Sequence, residues 1–126
     1  MSLSTRWKSL KKRKLPLPRR DWSELSDGDY LSLAASLGCL PCSLDGMPGT
    51  PAEIHHPRAD VGMAERAPDK DAYPCCPQHH RIGMHTFSVH MQPQEFHLRY
   101  GSDERLTRLT RIGVQKLLDS TIGKRA

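Results

Sequence analysis

Four soft or borderline metal donors stand in two short-spaced pairs, Cys39 with Cys42 and Cys76 with His79, each with two residues between its members. Two such pairs fill the tetrahedron that Zn2+ prefers with few fixed positions, so these four are expected to hold a structural zinc. Cys75 is then a spare thiol, because three residues separate it from His79. Imidazoles remain in surplus. His55 and His56 close the run Glu53-Ile54-His55-His56, His80 follows His79 directly, and His85 and His90 come shortly after. A centre with three protein ligands keeps coordination positions open, which separates a catalytic ion from a closed structural one. His55 and His80, completed by His90 or His85, are candidates to hold that second ion. Neighbours on a strand point to opposite sides, so His56 is left free to act as a general base, a role suited to a group that titrates near neutrality. The chemistry this predicts is hydrolysis of a phosphodiester.

These residues need elements to hold them. Ser26-Asp27-Gly28-Asp29 reads as a helix start, Tyr30, Leu31, Leu33, Ala34 and Leu37 as its apolar face, and Gly38 as its stop. That helix delivers Cys39 and Cys42 on the turn after it, and 42–49 reads as a loop. Residues 50–56 end before Pro57 and read as a strand; 71–75 is a second strand able to pair with it across a long loop. A short helix is expected over 77–82, with Pro77 in its first turn and His79 and His80 on different faces. Another is expected over 93–100, stopped at Gly101. Ser102 is the expected cap of a last helix whose apolar residues are Leu106, Leu109, Ile112, Leu117 and Leu118. Arg105, Arg108 and Arg111 lie on that helix at helical spacing and read as a solvated face more readily than as a nucleic-acid contact.

The composition bounds what kind of protein can carry this. With 126 residues, 37% of them hydrophobic, ten Pro and nine Gly, the chain is expected to form one small domain with a thin core that needs a metal to hold it. No apolar run is long enough to span a membrane, and no apolar leader core stands at the N-terminus. A reducing, cytoplasmic setting is therefore expected, which turns the four Cys toward metal rather than disulfides. Charge is uneven. Arg6, Lys8, Lys11, Lys12, Arg13, Lys14, Arg19 and Arg20 fall within residues 1–20, which hold no acid, while the rest of the chain has 11 bases against 14 acids. Residues 1–20 thus read as a disordered basic arm that grips nucleic-acid phosphates without reading sequence, and 21–126 as the domain.

The motifs Cys39-Leu40-Pro41-Cys42, Glu53-Ile54-His55-His56, Tyr73-Pro74-Cys75-Cys76-Pro77-Gln78-His79-His80-Arg81 and Ser88-Val89-His90 resemble those of the HNH (ββα-metal) endonucleases. Within that superfamily the chain looks most like the phage Ref type, recombination-enhancement nucleases that depend on the RecA filament. The likeness covers roughly residues 30–118, with the core motif at about 39–91. It implies an α+β, zinc-stapled domain with flanking helices, acting on DNA beside RecA-coated single strands in a bacterial host cell. It implies His56 as general base, His55, His80 and His90 as ligands of a catalytic Mg2+ or other divalent ion, and His85 as the reserve third ligand. The motif's middle Asn is absent, and Asp69 or Asp71 falls near its place. The competing reading is a non-catalytic zinc module that binds nucleic acid. Such a module needs only Cys39, Cys42, Cys76 and His79, and leaves His55, His56 and His80 without a task.

Overall fold

Ser26 starts the first helix, α1 (Asp27–Ser36), by accepting the Asp29 N–H on its hydroxyl at 3.2 Å, which satisfies one of the donors every helix start leaves open. Gly38 then reverses the chain at φ +79°, where a Cβ would stand 3.1 Å from both Gly49 and the Thr50 carbonyl. This close approach lets the Cys39 N–H bond the Thr50 carbonyl at 2.8 Å. The expected loop at 42–49 differs in its first residues, because a short helix, α2 (Leu40–Leu44), takes in Cys42. Cys39 caps this helix with its own sulfur, 3.4 Å from the Cys42 N–H, and Pro41 sits in the first turn, where its missing N–H costs nothing.

The computed structural model describes residues 21–58 and 67–125, and side chains only as far as residue 120. The basic arm, with Arg6, Lys8, Lys11, Lys12, Arg13, Lys14, Arg19 and Arg20, lies outside the described residues. Two short strands, β1 (Glu53–His55) and β2 (Tyr73–Cys75), pair antiparallel with Glu53 opposite Cys75 and His55 opposite Tyr73. Both are shorter than expected; a 3-10 turn over Asp69–Asp71 occupies the start of the second. α3 (Gln78–Ile82) is a single π-wound turn ended by Gly83 at φ +66°. α4 (Pro93–Tyr100) stops at Gly101, and α5 (Asp103–Arg125) begins on Ser102, whose hydroxyl accepts the Arg105 N–H at 3.2 Å. The protein is thus a small α+β domain with a two-stranded sheet.

Its core is in pieces, as the scarcity of large apolar residues requires. Tyr73, Cys75, Val89, Phe96, Tyr100 and Leu106 form one cluster. Leu25, Tyr30, Ala34, Val114 and Leu118 form another, in which α1 packs against α5. The helices pass closely at Gly113, where a Cβ would lie 2.9 Å from a Leu37 methyl. That contact turns Val114 inward and leaves Ile112 46% exposed, against the sequence expectation for Ile112. Of the three arginines read as a solvated face, Arg105 and Arg108 are exposed, Arg105 also donating to the Tyr100 carbonyl. Arg111 instead turns inward, bonding Asp71 at 2.5 Å and stacking over Trp22 at 4.4 Å. Among the described residues, no helix is long and apolar enough to cross a membrane.

Candidate metal centres

Cys39, Cys42, Cys76 and His79 are all buried, with donor atoms within 4.8 Å of one another. α2 and its cap bring Cys39 and Cys42; the end of β2 and the turn α3 bring Cys76 and His79. The Cys42 and Cys76 sulfurs are 3.8 Å apart. Nδ1 of His79 lies 3.2 Å from Cys76 Sγ and 3.5 Å from the sulfurs of Cys39 and Cys42. The far side of the ring is also partnered: Nε2 lies 2.9 Å from the Tyr100 hydroxyl and 3.1 Å from that of Thr86. Tyr100 in turn donates to Asp45 at 2.6 Å, and Arg99 holds the second Asp45 oxygen at 3.0 Å. Burial raises the Asp45 carboxyl, but the hydrogen bonds from Tyr100 and Arg99 outweigh it and leave the group below its ordinary value. An imidazole that donates from Nε2 keeps its lone pair on Nδ1, the tautomer a metal ligand needs. Burial pushes the Cys39 thiol well up, so a bound cation is what would make thiolates stable here. The donor set could bind a metal such as zinc, whose chemistry suits three sulfurs and one nitrogen.

The second cluster is all nitrogen. One ring nitrogen each from His55, His80 and His90 falls within the same 4.8 Å limit. Ring centroids are 5.3 Å apart for His55 and His80, 5.2 Å for His55 and His90, and 4.7 Å for His80 and His90. β1 presents His55 beside the Tyr73 ring, 5.0 Å away. His80 is oriented by Glu53, whose carboxylate lies 3.2 Å from Nδ1 and is itself gripped by Arg81 at 3.0 Å. A carboxylate on Nδ1 leaves Nε2 of His80 with the free lone pair. Burial, followed by the neighbouring His80 and His90 rings, pushes His55 down to about 3. Burial also lowers His90, with His80 next. Both rings are therefore neutral and able to ligate at neutral pH. His55 is buried, His80 half-buried and His90 exposed, so the cluster opens toward solvent on the His90 side.

His56 is held just past the strand, its Nε2 2.8 Å from an Asp69 oxygen and its side chain 14% exposed. Asp69 comes from the 3-10 turn before β2. Of the two acids considered for the motif's middle position, Asp69 is the one placed against His56. Asp71 is turned away to Arg111, and its carbonyl accepts the Thr107 hydroxyl at 2.7 Å. His85 corrects another expectation. It is exposed and lines an open cavity of ≈ 800 Å3 beside the thiolate cluster, together with Asp45, Met47 and Arg99; it does not join the imidazoles of His55 and His80. Cys75 is a fully buried core residue, its thiol raised by burial. Glu53 is a functional residue that no expectation from the sequence assigned a role, although its place two residues before His55 is the available signal. Comparison with family models, with characterised proteins and with solved structures returns no match for this chain.

Proposed function

We propose that the protein is a metal-dependent DNA endonuclease of the HNH (ββα-metal) type, with Zn2+ in the thiolate centre and a divalent ion in the imidazole centre. One observation carries this reading. Three imidazoles from β1, α3 and the segment after it bring ring nitrogens within 4.8 Å of one another, and His56, the residue after His55, is separately braced by Asp69. A zinc module without catalysis has no use for either feature.

The donor set fits a divalent ion, and fits Zn2+ or Mn2+ better than Mg2+, a hard ion that takes oxygen ligands. When bound by His55, His80 and His90, the ion would polarise the phosphate and stabilise charge on the departing oxygen. The remaining work falls to the chain. Asp69 accepts from Nε2–H of His56, which leaves the lone pair on Nδ1 to take a proton from the attacking water. The carboxylate then steadies the imidazolium that results, as an acid behind a catalytic histidine generally does. Glu53 keeps the His80 ring turned, and Arg81 keeps Glu53 in place. The domain has more acids than bases, so the arm at residues 1–20 supplies the attraction for the phosphate backbone. By its sequence resemblance the target is DNA engaged by a RecA filament.

The test is cleavage of supercoiled plasmid, and of a joint made by RecA on single-stranded DNA, with Mg2+, Mn2+ or Zn2+ and with chelator. Divalent-dependent cutting that disappears in His56→Ala, while DNA binding persists, is the expected outcome. A parent protein that binds both substrates and cuts neither would leave the zinc-module reading in its place.

A further inference from the structure

His79 and His80 are consecutive residues of one turn, yet their rings belong to different centres. His79 points Nδ1 at three sulfurs 3.2 to 3.5 Å away, and the His80 ring stands 4.7 Å from that of His90. Of the other two imidazoles, His90 follows a segment bonded to the same turn, and His55 lies on β1, which pairs with the strand leading into it. The carbonyls of His79 and His80 accept the backbone N–H groups of Val89 and His90, at 2.8 and 3.2 Å. β1, which carries His55, is paired with β2 so that Glu53 lies opposite Cys75, the neighbour of the ligand Cys76. Each element of the open centre is therefore tied by a covalent bond or backbone pairing to residues that ligate in the closed one or to their immediate chain neighbours.

Beyond these ties α3 is held by polar contacts, Glu53 with His80 and Arg81 and the Tyr100 and Thr86 hydroxyls with His79, and by little apolar packing. His79 is its one buried residue, and a π-wound turn is a rare conformation that something must hold in place. The sulfur cluster has Ala52 as its partly buried apolar neighbour, whereas Tyr30, Ala34, Val114 and Leu118 make a separate core between α1 and α5. Metal binding supplies free energy that such a weakly packed segment lacks.

We propose that the thiolate centre assembles the imidazole centre. An ion bound by Cys39, Cys42, Cys76 and His79 fixes α3, α3 fixes His80 and the backbone of residues 89–90, and a second ion is taken up by the chain that already carries the first. The link is independent of the nuclease reading and would hold in a protein that cuts nothing. Because such coupling is reciprocal, the second ion also tightens the first.

Mn2+ is a suitable probe, since it avoids thiolates and accepts nitrogen and oxygen donors. Its binding to the full chain is followed by electron paramagnetic resonance, once on protein stripped of zinc and once on protein given one equivalent of Zn2+. The zinc-loaded chain should bind Mn2+ at least about 10-fold more tightly, and His90→Ala in that chain should remove the binding. Equal Mn2+ affinity with and without zinc would overturn the proposal, as would Mn2+ uptake that survives His90→Ala. Circular dichroism on the stripped protein completes the test. The helices α1 and α5 should persist; their loss would mean that zinc merely folds the whole domain, and the proposed link within it would be wrong.

Discussion

The two clusters share one turn and are built in opposite ways. The thiolate centre has four donors, all buried, and a complete shell behind His79 in Tyr100, Thr86 and Asp45. The imidazole centre has three donors graded from buried His55 to exposed His90, and beside it a further histidine with its own carboxylate. Closure and soft donors suit an ion that holds a fold; openness and a neighbouring base suit an ion that meets a substrate. The difference can be broken most forcefully at Cys39. The closed centre joins the segments that carry both clusters, so Cys39→Ala should release the first ion and lower the melting temperature further than any change in the imidazole centre. A thermal melt matching the parent's, with zinc content unchanged, would show that the closed centre is not structural.

His56→Ala is the next largest effect, and it should fall on activity alone. A positioned general base contributes about 10²–10⁴-fold, so cutting should drop by that factor while metal content and melting temperature stay put. Asp69→Asn should act in the same direction through the orientation of His56, and by less. Glu53→Gln tests the open centre's own support. Ligand-orienting groups are worth about 10- to 100-fold in metal affinity, so this variant should weaken the imidazole centre by that amount and, with no second ion present, leave the thiolate centre's own affinity unchanged. Equal weakening of both, measured by metal titration, would deny that Glu53 serves His80 specifically.

How much of this could be read from the sequence follows from how local each feature is. The pairs Cys39/Cys42 and Cys76/His79 were legible because one turn of backbone fixes both members. The helix ends at Ser26, Gly101 and Ser102 were legible because a cap is a contact within three or four residues. The helix α2 was missed because its cap is a cysteine sulfur, which no sequence rule expects. The choice of His90 over His85 depends on the path of residues 83–92. That path is set by backbone bonds from Val89 and His90 back to α3, and by Gln92, whose side-chain oxygen takes the Ser88 N–H at 2.9 Å. Asp69 was not separable from Asp71 until Arg111, 40 residues later in the chain, claimed the latter. Contacts across such distances leave no spacing signature.

His85 gives the finest test of the comparison, because the sequence offers it as the reserve ligand of the open centre and the structure places it beside the closed one. Its ring is exposed and lines the cavity next to the thiolate cluster, whose four positions are already filled by Cys39, Cys42, Cys76 and His79. Surface changes of this kind usually alter stability by within about 0.5 kcal/mol. His85→Ala should therefore leave both metal affinities and the melting temperature within about a factor of two in equilibrium constant of the parent, whereas His90→Ala should remove the second ion. A drop in second-ion affinity in His85→Ala would mean that residues 83–90 can rearrange to offer this ring as a ligand. The open centre would then be defined by a moving segment, and its contrast with the buried thiolate site would lie in dynamics as well as in donors.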